Sequence, residues 1–181
     1  MDVIEAIKNR RSIRSFKSDP ISDEDINLVL EAARWAPSWA NTQCWEFIVI
    51  RDQNTKEKLA STLSRGNPAR EAMVKAPVVI AACGRLKKSG FYKGKAVTEK
   101  GDWVMFDVAL ASQNLTLAAC ERGLGSLHVG ALDFKKAAQI LEIPDDLTLV
   151  ELILLGYPQK VPSAPPRKEL AEFVHYERYS R

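Results

Sequence analysis

Residues 102–122 place the strongest constraint on the fold. The run reads as one long helix, and its apolar residues go almost all the way round: Trp103, Val104, Met105, Phe106, Val108, Leu110, Leu115, Leu117 and Ala118. A helix of that kind must be covered on more than one side. In a chain of 181 residues a partner subunit is a natural source of the extra cover. A homodimer is therefore preferred to a monomer built around a central core helix.

The length suits one compact domain over residues 1–181, large enough for a real core. With 46% apolar and 27% charged residues, disordered and collagen-like classes are excluded. A net charge of +3 is too mild to argue for nucleic acid, but it suits a small anionic ligand held by a few arginines. Cys44, Cys83 and Cys120 are odd in number and far apart, which argues against a disulfide framework or a zinc site and for a reducing cytoplasm. His128 and His175 are the only histidines, so no histidine-rich metal site is expected. The acidic, amphipathic start at Met1–Glu5 is not read as a signal peptide. No apolar run approaches the roughly 20 residues of a membrane span.

Along the chain, Asp2 is placed to cap a short helix through about Asn9, with Val3, Ile4 and Ile7 on one face. Ser22, with Asp25 following, opens a helix whose face is Ile26, Val29, Leu30 and Ala33 and which stops before Pro37. Trp45 to Ile50 favours a strand, Asn54 with Glu57 caps a third helix, and a short helix runs to Lys75. Val78 to Cys83 is apolar on both faces and predicts a central strand. Residues 85–101 are basic and glycine-containing and read as a mobile loop. Gly123-Leu124-Gly125 ends the long helix, 126–129 suits a short strand, Asp133 caps a helix, and Leu149 to Leu155 forms the last strand. The proline-rich tail from Tyr157 to Arg181 reads as extended and wrapping a surface. Helices and strands mix without a regular βα alternation, so the class is α+β.

Four polar segments are candidates for chemistry. In Arg10-Arg11-Ser12-Ile13-Arg14, arginine forks suit a phosphate, and alternation along an extended segment would converge Arg10, Ser12 and Arg14 while Ile13 packs inward. The alternative for this segment is a solvated basic turn. Pro37-Ser38-Trp39-Ala40-Asn41-Thr42-Gln43 sets short polar side chains beside aromatics, which suits a flat heteroaromatic ligand; the alternative is an ordinary capped loop. Gly123 to Gly130 does not have the GxGxxG spacing and follows a helix, so a loop bringing backbone N–H groups near a ligand fits better than a dinucleotide fold. The stiff pair Pro165-Pro166 could fix Arg167 for phosphate contact, against a solvated charged tail. There is no GxxxxGK[ST], HExxH or GxSxG motif.

Taken in order, RRSIRSF, APSWANTQCWEF, GLGS after the long helix and GYP…PPRK resemble the nitroreductase family of FMN-dependent oxidoreductases over essentially the whole chain. The resemblance implies a three-layer α+β fold, a central mixed or antiparallel sheet flanked by helices, in an intertwined homodimer with its sites at the interface. It implies that Arg10, Arg11, Ser12 and Arg14 contact the FMN phosphate, ribityl chain and ring edge. Ser38, Ala40 and Asn41 would form the loop against the isoalloxazine, usually contributed by the other subunit, with Gln43 beside it and Pro37 among the cofactor-binding residues. Gly125 and Ser126 would pass near the ring's reactive edge, and Arg167 would reach the phosphate. Cys44 departs from the family, which often has proline there. The implied activity is a ping-pong cycle: NADPH or NADH gives hydride to flavin N5, and a small oxidised acceptor, such as a nitroaromatic or quinone, then takes it. No catalytic side chain is assigned, because water can supply protons. The alternatives are a flavin- or nucleotide-binding protein without turnover, and a specialised relative acting on flavin or halogenated aromatics.

Overall fold

The computed structural model describes residues 1–180. Its centre is strand β2 (Val78–Arg85), buried from Val78 through Gly84. A strand apolar throughout needs cover on both faces. Val79, Ala81 and Cys83 turn to one side, and Val78, Ile80 and Ala82 to the other. β2 lies between β1 (Trp45–Ile50) and β6 (Leu147–Gly156), and β6 carries β5 (Gly125–Val129) on its far edge. Every pair in this four-stranded sheet is antiparallel. A bulge leaves Val150 unopposed, since Ala82 pairs with Glu151 and Cys83 with Leu149.

One face of the sheet is covered by α3 (Gln53–Ala60), α4 (Ala69–Lys75) and α6 (Phe134–Ile140), through Leu59, Ala72, Met73 and Ala137. The other is covered by α2 (Asp23–Arg34) and α5 (Val104–Glu121), through Val29, Ala33, Val108, Ala111 and Leu115. α1 (Val3–Asn9) packs on α5. The result is an α+β arrangement of three layers around an antiparallel sheet, as the family resemblance implied. Helix starts follow their caps. Asp2 and Glu5 form a reciprocal capping box, and Ser22 accepts from Asp25 N at 3.0 Å.

Several expectations change. α3 is capped by Asp52, which accepts from Thr55 N at 2.7 Å, and not by Asn54. Residues 85–101 contain a small hairpin, β3 (Phe91–Tyr92) with β4 (Lys95–Ala96), and Lys87 N is tied to the Asp102 carboxylate at 2.7 Å. The apolar face of α1 is not packed within the chain: Val3, Ile4 and Ile7 are exposed and only Ala6 is buried. α5 buries one side on the sheet, whereas Met105 and Phe106 remain 59% and 54% exposed. Beyond Gln159 the described tail is irregular apart from one 3-10 turn at Leu170–Glu172, and Val161, Leu170, Phe173, Tyr176 and Tyr179 are exposed. No helix is long and apolar enough to cross a membrane among the described residues.

Candidate functional site

α1 stops at Arg10, and the chain then runs extended beside the start of β5. Ile13 N donates to Ser126 O at 2.9 Å, and Ser12 and Ser126 form a parallel bridge, the one parallel element against an otherwise antiparallel sheet. Ile13 is 3% exposed and Phe16 5%, so both anchor the segment to the core. A Cβ on Gly125 would lie 2.5 Å from Ile13 Cγ1, so glycine is needed there for close approach. Gly125 and Ser126 are thus buried strand residues and not loop residues, and the Ser126 carbonyl is used to hold Ile13. Gly123, at φ +73°, is the helix-ending glycine.

This placement brings Arg10, Arg11, Ser12 and Arg14 together with Arg167 and Pro165 of the distant tail, around a cavity of about 290 Å³. A second cavity of about 150 Å³ shares Arg10 and Arg11 and is closed by Gly125, Ser126, Cys120 and Pro158. Arg11, which strict alternation would have turned away, belongs to both. The charge here is uncompensated. Arg34, Arg51, Arg85 and Arg122 each pair with a carboxylate, but among the described residues Arg10, Arg11, Arg14 and Arg167 do not. Arg11 Nη1 donates to the carbonyls of Lys8 and Arg10, and Arg14 Nη1 to Ser12 O at 3.4 Å. Guanidinium groups without carboxylate partners around one cavity match an anion with several oxygens, such as a phosphate monoester.

The loop after α2 is built differently. Ser38 precedes a single 3-10 turn, Trp39–Asn41, and Ala40, Asn41 and Gln43 have φ of 45°, 55° and 47°. Non-glycine residues in that region each cost on the order of 1–3 kcal/mol and persist only where surroundings hold them. The holder is Asp107, fully buried in the first turn of α5. Trp39 N donates to both of its oxygens at 3.1 Å, Ser89 Oγ donates at 2.7 Å, Thr42 Oγ1 at 3.4 Å and Cys44 Sγ at 3.7 Å. Ser38 Oγ accepts from Gln43 N at 2.9 Å, and Gln43 Nε2 donates to Asn41 Oδ1 at 3.2 Å. Asp107 was missed in the sequence, although a lone acid in an apolar helical turn was its signal. Burial, and next the charge of Asp107, pushes the Cys44 thiol up to about 12, so it is protonated at neutral pH and not a nucleophile.

Ala40, Asn41 and Gln43 are exposed, and no residue of Pro37–Gln43 lines either arginine cavity. Within one chain the structure therefore gathers Arg10, Arg11, Ser12, Arg14, Gly125, Ser126 and Arg167, and leaves Pro37, Ser38, Ala40, Asn41 and Gln43 apart from them. No group of histidine, cysteine or acidic residues suited to a metal occurs among the described residues.

The pattern of the Nitroreductase family matches residues 7–73 and 62–157, which takes in the basic segment, the loop and β5 but not the tail. A protein of Methanothermobacter thermautotrophicus, provisionally named as an NADH dehydrogenase/NAD(P)H nitroreductase, is 36% identical, covering 90% of this chain and 80% of its own. An FMN reductase (NADPH) of Bacillus subtilis is 27% identical, covering 99% of this chain and 75% of its own. The crystal structure of a nitroreductase family protein from Clostridium difficile 630 superposes with a TM-score of 0.83 at 27% identity, covering 99% of this chain and all of the other.

Proposed function

The chain belongs to the nitroreductase family, and from that premise we propose that it is an NAD(P)H-dependent oxidoreductase that holds FMN at the arginine cavity and reduces a small oxidised acceptor such as a nitroaromatic or quinone. The observation that carries the reading is the convergence of Arg10, Arg11, Arg14 and Arg167, from opposite ends of the chain and without carboxylate partners, on one cavity. That donor set fits the FMN phosphate, and Ser12 supplies a hydroxyl beside it. Gly125 and Ser126 form the wall behind Arg10 and Arg11. Bound FMN supplies the two-electron chemistry between nicotinamide and acceptor.

The protein's own part is binding, orientation and exclusion of water. The guanidinium groups fix one end of the cofactor. The loop Pro37, Ser38, Ala40, Asn41 and Gln43 presents amide and hydroxyl groups to the ring of a cofactor held by a second copy. A homodimer is supported by uncovered apolar surface: Val3, Ile4, Ile7 and Met105, and Trp35 at 74% exposed. A groove of about 410 Å³ between α1, α2 and α5 takes in Val3 and Trp35 of that surface, with Leu117 in its wall. NADPH or NADH is the electron donor.

The test is the visible absorption spectrum of the purified protein, before and after anaerobic addition of NADPH or NADH. The expected result is bound flavin that bleaches on addition. Flavin that stays oxidised with either donor refutes the oxidoreductase reading, and a protein that takes up no added FMN refutes the cofactor assignment.

A further inference from the structure

We propose that Asp107 is a positioning residue that locks the loop 37–44 and the segment 89–103 into one rigid unit, giving the loop the shape in which it meets the flavin ring; the inference rests on the FMN reading above. Asp107 is 0% exposed, and among the described residues no lysine or arginine pairs with it. A buried carboxylate without a cation is retained only where neutral donors satisfy it. Here four donors converge on it: Trp39 N, Thr42 Oγ1, Cys44 Sγ and Ser89 Oγ. Its place in the first turn of the 18-residue α5 adds the positive end of the helix dipole.

The contacts close a ring. Asp107 holds Trp39 N and Ser89 Oγ. Ser89 O accepts from Trp103 N at 3.2 Å, and the Trp103 and Trp39 rings pack with centroids 5.1 Å apart. Ser89 is itself fully buried, and Gly90 after it, at φ +79°, passes so close to Trp103 that a Cβ would sit 2.5 Å from Cδ1. Asp107 thus joins two segments that are distant in sequence. One carries Ala40, Asn41 and Gln43, and the other leads into the β3–β4 hairpin.

The three left-handed residues of the loop serve no packing purpose in their own chain, unlike Trp39, whose ring packs on Trp103. Ala40, Asn41 and Gln43 are exposed and absent from the core. Left-handed backbone at three non-glycine positions, held by a buried acid, is the arrangement expected where shape is kept for something outside the chain. Asp107→Asn keeps the size but halves the acceptor capacity and turns an amide N–H2 toward donors. Trp39 N then loses one of its two acceptors, and the loop relaxes.

The experiment measures dissociation constants of FMN and riboflavin, and the visible circular dichroism of flavin bound at saturation. It uses the wild-type protein, Asp107→Asn and Ser89→Ala. Riboflavin lacks the phosphate, so a defect in the ring-facing loop weakens both ligands by the same factor, about tenfold or more for Asp107→Asn. The flavin dichroism changes even at saturation, which a loss of global stability alone does not produce. Ser89→Ala shifts both readouts in the same direction by a smaller factor, and it decides the matter if Asp107→Asn does not fold. Wild-type affinity within twofold and unchanged dichroism in the folded variants overturn this inference while leaving the FMN reading intact. Failure of the wild-type protein to bind either flavin overturns both.

Discussion

Gly125→Ala places a methyl group 2.5 Å from Cγ1, 2.9 Å from Cβ and 3.1 Å from Cγ2 of Ile13. Rotation of Ile13 does not relieve this, because Cβ does not move with χ1 and a β-branched side chain is stiff. Carbon atoms need about 3.5–4 Å, so the segment around Ile13 has to retreat from β5 by about 1 Å. The retreat strains the Ile13 N to Ser126 O bond, now 2.9 Å, and carries Arg10, Arg11 and Arg14 with it. Overpacking of this kind costs about 1–3 kcal/mol. At about 2–4 °C per kcal/mol for a chain of this length, the midpoint of thermal unfolding falls by roughly 2–12 °C. The phosphate grip also loosens: weakening one charge-assisted bond worth about 1.5–3 kcal/mol raises the FMN dissociation constant about tenfold. Riboflavin binding changes much less. The assay is thermal unfolding by circular dichroism without flavin, together with fluorescence titration by FMN and by riboflavin. Gly66→Ala is the control, since a Cβ there meets nothing within 4 Å and its midpoint stays near wild type. Wild-type stability and FMN affinity in Gly125→Ala would refute the close approach as the device that sets the basic segment. A lower midpoint with an unchanged FMN-to-riboflavin ratio would refute that segment as the phosphate holder.

Arg10→Ala and Arg167→Ala are each expected to raise the FMN dissociation constant about ten- to hundredfold at low salt with little effect on riboflavin; unchanged FMN affinity in the double variant removes the phosphate assignment. Burial raises all three thiols, Cys44 to about 12 and Cys83 to about 11, but only Cys120 is partly exposed, so a maleimide at pH 8 should label Cys120 alone before unfolding. Labelling of Cys44 or Cys83 in the native protein contradicts that burial. The hydrogen bond from Arg122, at 2.8 Å, is the foremost cause lowering the Asp25 carboxyl below its usual range. A depressed carboxyl stabilises the fold above its unfolded value, near about 4, and this contribution is lost as pH falls through the folded value. The stability gap between wild type and Arg122→Met, measured by urea unfolding, should therefore narrow on acidification below about pH 4, and a gap that stays constant to pH 2.5 refutes the coupling.

What the sequence disclosed follows the range of the forces involved. The central strand was legible because Val78–Cys83 is apolar without interruption, and α2 because Ser22 and the Ile26, Val29, Ala33 spacing are local signals. The β3–β4 hairpin was not, since two-residue strands carry no periodicity. Asp52 and Asn54 are both competent caps two positions apart, and only the folded backbone selected Asp52. The apolar face of α1 was read correctly as a face, but nothing local told that Val3, Ile4 and Ile7 point away from their own chain. In the site, the arginine cluster was legible as a candidate anion holder, yet alternation alone left out Arg11, whose place depends on how α1 ends beside β5. Gly125 looked like a loop glycine, and its real requirement comes from Ile13, far earlier in the chain. Asp107 was not picked out, because its donors at Trp39, Thr42, Cys44 and Ser89 meet it only in the tertiary structure.

The separation of the arginine cavity from the loop Pro37–Gln43 within one chain has a consequence for assembly. If the loop of each subunit serves the cavity of the other, a two-fold dimer holds two identical sites, each made from both chains. A mixed dimer then distinguishes shared from private sites. Let one chain carry Arg10→Ala with Arg167→Ala, and the other Asn41→Ala with Gln43→Ala. With shared sites, both lesions fall in one site, and the other combines an intact cavity with an intact loop. The mixed dimer, isolated with two affinity tags, is expected to bind about one flavin with wild-type affinity, although both parent homodimers bind weakly. With private sites, each chain keeps its own lesion and the mixed dimer binds no better than its parents. That second result would return the loop to its own chain and remove the functional argument for the dimer, leaving only the uncovered faces of α1 and α5 in its support.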